Sequence, residues 1–345
     1  MRIVHIMGND KFAQGYINLI NKEFDCDNHL FLLLDFGNNV SYPRMDDLKN
    51  VMYISKSCSD LYKIVKYSKK AEKIIFHGLF SKLVMAIICI GGFSKKTYCA
   101  LWGGDLYKYG KESKIEFGMK HHIISKSRGI VMELEDDYYL AQKWYGASCP
   151  YFNCMLYLSN IVDNDEKTYF VKQVDDPLVI QIGNSADPSN RHEIVLDELM
   201  KYKNENIRLL LPLSYGEKKY AEEIISYAKG IYGKKVEALK EFMPLEQYLR
   251  ILDSVDVAIF AHKRQQGLGN ILTLLSKGKK VYVPSEVTVF QSLSRLGIKI
   301  FDTNNIDDNI FEKLNEEDIK SNKEKVFQIS NINKLISDWK AVFDD

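Results

Sequence analysis

No Cys-x-x-Cys pair occurs in the sequence; its six cysteines (Cys26, Cys58, Cys89, Cys99, Cys149, Cys154) stand singly, several of them in apolar runs. That spacing excludes a zinc ribbon and a disulfide frame, and points to reduced thiols in a cytoplasmic protein. Nor is any apolar run long enough to cross a bilayer. The longest, residues 83–93, falls well short of the ~20 residues a spanning helix needs. Neither sign of charge dominates, with 47 Lys plus Arg against 46 Asp plus Glu, which removes a global nucleic-acid signature. The opening Met1-Arg2-Ile3-Val4-His5-Ile6-Met7 reads as a strand entering a turn and not as a leader. No internal repeat is visible.

What is present is an alternation of strands and helices. Strands are expected at residues 3–7, 29–34, 51–54, 74–76, 98–102 and 130–132. Helices are expected after the first turn, at 81–90, and from the Gly103-Gly104 turn to about residue 125. A polar segment, residues 159–176, then reads as a hinge. A second alternation follows, with strands at 178–182, 207–213, 236–239, 257–260, 280–283 and 298–301, and a last helix at 326–343. This rhythm predicts an α/β protein of two parallel-sheet Rossmann-like domains. The domains are set at 1–165 and 166–325, with a terminal helix, 326–345, able to cross back to the first. In such sheets ligands bind beyond the carboxyl ends of the strands, so the strand-end turns of both domains would face one cleft.

Four of those turns carry chemistry. The central one is residues 255–272, where a strand runs into His262-Lys263-Arg264-Gln265-Gln266-Gly267-Leu268-Gly269-Asn270 and then a helix. Gly267 and Gly269 free the backbone, and the helix N–H groups with Arg264 would receive an anion. Gly183-Asn184-Ser185 offers donors at another strand end, or else a turn that bonds only itself. Asn190 and Glu193 stand at capping-box spacing for the helix that follows. Phe242 and Met243 are candidates to cover a nucleobase, although core packing is the commoner job for each, and Tyr215, just past another strand end, joins the donor-binding candidates. In the first half, Trp102-Gly103-Gly104-Asp105-Leu106-Tyr107 sets a carboxylate at the sheet rim, where Asp105 is either a general base or a helix cap. His77, after an apolar strand, is the second candidate base. Gly8, Asn9, Trp102, Gly104 and Tyr107 are the candidate acceptor-binding residues. Asp163-x-Asp165 resembles the metal-binding pair of one class of sugar transferase but lies in the polar linker, so no metal site and no cofactor are expected.

Charge is uneven within the first half. Residues 49–128 hold sixteen Lys and Arg against five Asp and Glu, a net of +11. Beside the apolar run at 83–93, that excess suits anionic lipid headgroups at the inner face of the plasma membrane.

Phe76-His77-Gly78-Leu79-Phe80, Leu101-Trp102-Gly103-Gly104-Asp105-Leu106-Tyr107, Gly183-Asn184-Ser185-Ala186-Asp187-Pro188-Ser189-Asn190 and Arg264-Gln265-Gln266-Gly267-Leu268-Gly269 follow one another in an order and spacing that resembles glycosyltransferase family 56. These are the 4-α-L-fucosyltransferases of enterobacterial common antigen assembly. The resemblance covers residues 1–301. It implies a GT-B fold, a dTDP-linked deoxyamino sugar as donor in the second domain, and a polyprenyl-diphosphate-linked oligosaccharide as acceptor in the first. No metal is implied. Ala186, Pro188 and Asn270 replace the family's glycine, arginine and threonine, departures that bear on the sugar and leave the reaction type alone. Two other classes remain open: a GT-B-like sugar-nucleotide epimerase, and a non-catalytic sugar-nucleotide-binding module.

Overall fold

The computed structural model describes residues 2–36, 42–162, 172–173 and 175–345. Chain contacts divide them into two units, Met1–Ile161 with Ile332–Asp345, and Val162–Asn331. The Asp163-x-Asp165 pair lies outside the described residues.

The first unit reads, in chain order, β1 (Ile3–Gly8), α1 (Ala13–Glu23), β2 (His29–Leu34), β3 (Val51–Ile54), α2 (Cys58–Lys70), β4 (Lys73–His77), α3 (Lys82–Ile90), β5 (Thr97–Ala100), α4 (Gly103–Leu106), α5 (Lys114–Lys126), β6 (Gly129–Met132), α6 (Glu135–Tyr145) and β7 (Tyr151–Asn153). Its strands form one sheet in the order β3-β2-β1-β4-β5-β6-β7, every pairing parallel. Ile3 faces His29 on one side and Lys73 on the other. The order reverses between β1 and β4, so the connections on either side leave in opposite directions and a gap opens beyond Gly8 and His77.

The second unit holds β8 (Leu178–Ile182), α7 (His192–Glu198), β9 (Ile207–Pro212), α8 (Lys218–Tyr232), β10 (Val236–Leu239), α9 (Leu245–Ser254), β11 (Val257–Ile259), α10 (Leu268–Ser276), β12 (Lys280–Val283), α11 (Thr288–Arg295), β13 (Phe301–Asp302) and α12 (Glu316–Ile329). The sheet order is β10-β9-β8-β11-β12-β13, again all parallel, with the reversal between β8 and β11. The expected α/β class is therefore found twice over.

Four expectations differ. The strand expected at 298–301 is the two-residue β13, which shares only Phe301 with it. The helix from the Gly103-Gly104 turn is two helices, α4 and α5, parted by residues 107–113, where Gly110 takes φ +77°. The terminal helix is also two, α12 and α13 (Ile332–Asp344). The break is Ser330, whose φ of −140° leaves the helical region and whose buried carbonyl accepts from Val162 N at 2.9 Å. The capping box at Asn190 is not made. Asn190 ends a 3₁₀ turn (Pro188–Asn190), and α7 starts after Arg191, which sits in the left-handed region at φ 53°.

The two faces of the first sheet differ in chemistry because side chains alternate along a strand. Val4, Ile6, Ile74 and Phe76 point into an apolar core shared with Ile64, Val84, Met85, Ile88 and Ile123. His5 and His77, with Phe31 and His29 of β2, meet Tyr16, Tyr157, Trp339 and Phe343. Helix α13 carries Trp339 and Phe343 and belongs to this unit. Trp339 is fully buried, packs edge-on against Tyr16, and donates from Nε1 to Leu156 O at 3.3 Å. Trp339→Ala is expected to destabilise the first unit by about 3–5 kcal/mol, read as a lower denaturation midpoint in urea. A loss below about 1 kcal/mol would show that α13 does not complete this core.

Candidate active-site turns

In the second unit the expected turn residues come together at the point where strand order reverses. Gly183 N donates to Ile259 O at 2.9 Å, which joins the end of β8 to the end of β11. Beyond it, Asn190 holds the turn in shape. Its Oδ1 accepts from Asn184 N at 3.1 Å, and its Nδ2 donates to Ser185 Oγ at 3.0 Å. Gly183 takes φ +65°, and a Cβ there would fall 2.6 Å from His192 Nε2 and 2.9 Å from Asn190 Oδ1. Only glycine fits. Asn184 Nδ2 donates to Tyr215 Oη at 2.9 Å.

Gly267 comes from the other side of the gap. At φ +67°, with Asn184 Oδ1 2.9 Å from where its Cβ would be, it too admits no side chain without strain. Gln266 Oε1 accepts from Ser189 Oγ at 2.7 Å, and Asn270 accepts from the Tyr248 hydroxyl. Arg264 Nη2 lies 3.9 Å from Asp187 Oδ2. Gly183, Asn184, Ser185, Tyr215, Arg264, Gln266, Gly267, Gly269 and Asn270 thus belong to one strand-end cluster. Phe242 and Met243 precede α9, and Phe242 is 82 % exposed, which rules out core packing for that ring.

Two features mark this cluster. Among the described residues no side chain caps α10, whose N-cap is Gly267, although the first-turn N–H groups of any helix need partners. Among the described residues Asn184 Oδ1, buried against Gly267, has no hydrogen-bond partner, and His262 is fully buried. Burial holds His262 down at about 4, so it is neutral at pH 7. Arg191 and Tyr248 are additions that sequence spacing did not single out, whereas His262, expected to add positive charge beside the helix end, is buried and neutral and adds none. Arg191 donates to Ala261 O at 3.3 Å from a backbone conformation rare for any residue but glycine.

In the first unit the rim is aromatic. Phe12 stacks on Tyr157 at 5.1 Å and meets Trp102 edge-on at 5.1 Å, while Phe80 lies 5.6 Å from Trp102. Gly8 ends β1 directly before this cluster, Asn9 N donates to Leu34 O at 3.2 Å, and Gly104 lies against Phe80. Tyr107 is turned elsewhere: its hydroxyl donates to Asp137 at 2.7 Å and its ring packs against Trp144.

Neither expected base is available to a substrate. Asp105 is 1 % exposed; its Oδ2 accepts from Leu79 N at 2.7 Å, and its Oδ1 from Trp102 N at 2.8 Å and Leu106 N at 2.9 Å. It caps α4 and pins two strand-end loops together, which is the structural role an Asp after glycines commonly takes. Burial pushes it up to about 6 against the pull of those N–H groups and of Lys120. His77 is buried with both ring nitrogens engaged, Nδ1 to Tyr157 Oη at 2.9 Å and Nε2 to His5 Nδ1 at 3.3 Å. Burial holds it down at about 3. Trp102 Nε1 donates to the same Tyr157 oxygen at 3.1 Å, so His77 orients the rim through Tyr157.

Two other carboxylates stand just past strand ends, Asp10 and Glu133, both half-buried. Asp10 follows β1. Its Oδ1 accepts from Phe12 N at 2.8 Å, its Oδ2 extends over Gly8, and burial raises its pKa. Glu133 follows β6 and accepts from Asn160; burial raises it to about 7. Among the described residues, no group of three His, Cys, Asp or Glu is arranged to hold a metal ion.

Comparison with known proteins gives a family and a fold. The family model described as 4-alpha-L-fucosyltransferase, glycosyl transferase group 56, matches residues 18–344. Among solved structures, Anabaena HepE in complex with UDP and glucose aligns over all of both chains with a TM-score of 0.71 at 11% identity. The lipopolysaccharide outer core galactosyltransferase WaaB aligns over 100% of this chain and 99% of that one, with a TM-score of 0.68 at 14% identity. The alpha,alpha-trehalose-phosphate synthase (UDP-forming) of Burkholderia vietnamiensis gives 0.65 at 9%, covering 100% and 99%. At such identities the likeness is one of fold, and the fold is GT-B.

Asp105→Asn puts an amide NH₂ against backbone N–H groups that now point at oxygen. A loss of about 1–3 kcal/mol is expected for each N–H left unmatched, visible as an earlier urea transition. An unchanged midpoint would refute the capping role.

Proposed function

The chain belongs to glycosyltransferase group 56, the 4-alpha-L-fucosyltransferase family, and from that premise we propose that it moves a deoxyamino sugar from a dTDP-sugar to a polyprenyl-diphosphate-linked oligosaccharide. The setting would be surface polysaccharide synthesis (common antigen, O-antigen or capsule) at the inner face of the plasma membrane. The observation that carries the donor half is the uncapped start of α10 beside the unpartnered Asn184 Oδ1. Main-chain N–H groups at a helix start hold phosphate oxygens. Asn184 Oδ1, an acceptor, suits a sugar hydroxyl. Arg264 and Arg191 supply cationic charge where the diphosphate departs, and in a site closed to water such charge counts for far more than in solution. Phe242, exposed next to α9, suits a thymine ring. HepE, similar in fold, holds UDP and glucose.

For the acceptor half, the aromatic rim of Phe12, Phe80 and Trp102 offers flat faces to a sugar. In the transfer, the acceptor oxygen bonds to the anomeric carbon and the bond to the diphosphate breaks with its electron pair going to the phosphate oxygen. Asp10 Oδ2 takes the hydroxyl proton. Asp10 is preferred to Glu133 because Phe12 N fixes one of its oxygens while the other extends over Gly8 at the end of β1.

A thermal-shift panel of dTDP, UDP, GDP and CMP tests the donor. A ligand that binds only the folded state at about 100 times its Kd adds about 2.7 kcal/mol, so dTDP alone is expected to raise Tm. A response to UDP alone would overturn the dTDP assignment. Arg264→Ala is expected to weaken dTDP binding about tenfold or more, in line with the roughly 1.5–3 kcal/mol of a charge-assisted bond; an unchanged Kd would exclude a diphosphate contact. Asp10→Asn is expected to lower kcat by about 10²–10⁴ with the dTDP shift intact. A near-normal rate would remove Asp10 as the base.

A further inference from the structure

Three of the chain's seven histidines lie in one line on the face of the first sheet that meets Tyr16 and Trp339. Strand register puts them there. His29 opens β2 opposite Ile3, and His5 stands two residues further along β1. His5 pairs with Ile75, which leaves His77 two residues further again on β4. Side chains two residues apart share a face, so the rings climb diagonally over adjacent strands, about 13 Å in all at about 3.3 Å per residue. Apolar side chains alone would cover such a face, as Val4, Ile6, Ile74 and Phe76 cover the other. Buried imidazoles cost free energy there unless they are hydrogen-bonded.

They are bonded to one another, end to end. His29 Nδ1 lies 2.9 Å from His5 Nε2, His5 Nδ1 3.3 Å from His77 Nε2, and His77 Nδ1 2.9 Å from Tyr157 Oη. Trp102 Nε1 donates to that same oxygen at 3.1 Å, which brings the line to the aromatic rim. At the other end His29 lines a cavity of about 160 Å³ with Arg2, Asp25, Asn28, Glu72 and Lys73. The rings are walled in: Phe31 stacks on His5 at 4.5 Å, Trp339 lies 5.7 Å from His77, and Phe343 meets His29 edge-on at 4.7 Å. Burial holds His77 down at about 3, His29 at about 4, and His5 well below an ordinary imidazole, so all three are neutral at pH 7.

Three neutral rings and one hydroxyl carry four protons, and the three bonds between them use three. With every bond made, two arrangements exist. Either Tyr157 donates inward and each ring is protonated at Nε2, or each ring is protonated at Nδ1 and the Tyr157 proton is turned to the rim. We propose that this line is a proton relay serving glycosyl transfer, with Tyr157 as its entry and His29 as its exit. The inference rests on the transferase reading, because that reaction frees one proton from the acceptor hydroxyl. Asp10 takes that proton and passes it to Tyr157 Oη, which restores its carboxylate. Tyr157 gives its own proton to His77 Nδ1, His77 Nε2 gives one to His5 Nδ1, and His5 Nε2 gives one to His29 Nδ1. His29 Nε2 then releases one to water. At each of the four groups one bond to hydrogen forms and one breaks, so none is left charged. The reverse shift resets the line, a proton entering at His29 and one leaving Tyr157 for water at the rim, and no ring has to turn over. Phe12, whose N–H holds Asp10, stacks on Tyr157 at 5.1 Å, which sets the base beside the entry.

Two measurements on the full chain test the relay. Long-range proton–nitrogen spectra with isotopically labelled histidine distinguish the tautomers without any substrate. His5, His29 and His77 are expected to share one tautomer and to stay neutral at pH 6; unlike tautomers or a charged ring would overturn the inference. The second measurement is dTDP release from the dTDP-sugar in the presence of a polyprenyl-diphosphate-linked acceptor. His5→Phe cuts the line in the middle, and His29→Gln cuts it at the exit. Each is expected to lower kcat about tenfold or more, short of the loss expected for the base itself, with acceptor KM and Tm near those of the wild type. A line cut once is cut, so the double variant should lose no more than either single one, whereas independent structural damage would multiply. Tyr16→Phe removes a hydroxyl 3.4 Å from His5 Nδ1 and leaves the line whole, so it should keep the wild-type kcat. His29→Gln, at the start of a strand, guards against a folding failure of His5→Phe. Undiminished kcat in both cuts, or losses that multiply in the double variant, refutes the relay alone. Absence of turnover by the wild type instead refutes the transferase reading.

Discussion

A parallel sheet has one place where the chain stops winding to one side and begins to wind to the other, and everything chemical in this protein depends on that place occurring twice. Beyond β1 and β4, and again beyond β8 and β11, adjacent connections diverge and leave backbone ends without neighbours. Polar groups put there do not compete with sheet bonding. The first unit fills its opening with Asp10, Phe12 and the Trp102–Tyr157 pair. The second fills its own with Asn184, Ser185 and Gly267, and leaves an oxygen of Asn184 over. The same backbone constraint has been met with two different chemistries, rings in one case and hydrogen-bonding groups in the other.

Much of this was legible in the sequence, for a physical reason. Strands buried on both faces read as short, near-continuous apolar runs, and glycines mark the turns where positive φ is needed. Gly78, Gly183 and Gly267 all take positive φ with little room for a side chain. Helix breaks were harder. Ile329, Ile332, Leu335, Ile336 and Trp339 keep a helical spacing straight through Ser330, because one polar residue does not disturb a pattern that recurs every three or four. The break comes from a tertiary bond, Val162 N to the Ser330 carbonyl, and no local rule contains it.

The sites were legible as turns and less so as roles. Asp105 after two glycines carries every local sign of a carboxylate set free at a sheet edge. The same signs describe a residue needed to start a four-residue helix, which has few internal bonds of its own and cannot stand without a cap. Asp10 was visible only as part of a turn, and its claim comes from Phe12 N holding one oxygen while the other extends over Gly8. Tyr157 joins His77 across 80 residues of chain, and Gly267 approaches Asn184 from 83 residues away. Proximities of that span are set by strand order, which is a property of the whole domain.

The cationic side of the second cluster can be argued from magnitudes. Arg264 stands 3.9 Å from Asp187, at the outer limit of an ion pair, with both side chains partly in water. Such a pair is worth at most about 1 kcal/mol and commonly less. A diphosphate brings two charges and several acceptor oxygens, and each charge-assisted bond to it is worth roughly 1.5–3 kcal/mol. Asp187 therefore cannot hold Arg264 against such a ligand. On the proposed donor reading, the pair would hold the guanidinium in place before a diphosphate binds, which lowers the ordering entropy to be lost, about 0.5–1.5 kcal/mol for a side chain of this kind. Ser189 fixes Asp187 in turn, its N–H donating to Oδ1 at 2.8 Å, and its hydroxyl reaches Gln266 on the far side of the opening. On that proposed reading Asp187 acts as a placeholder and not as an obstacle.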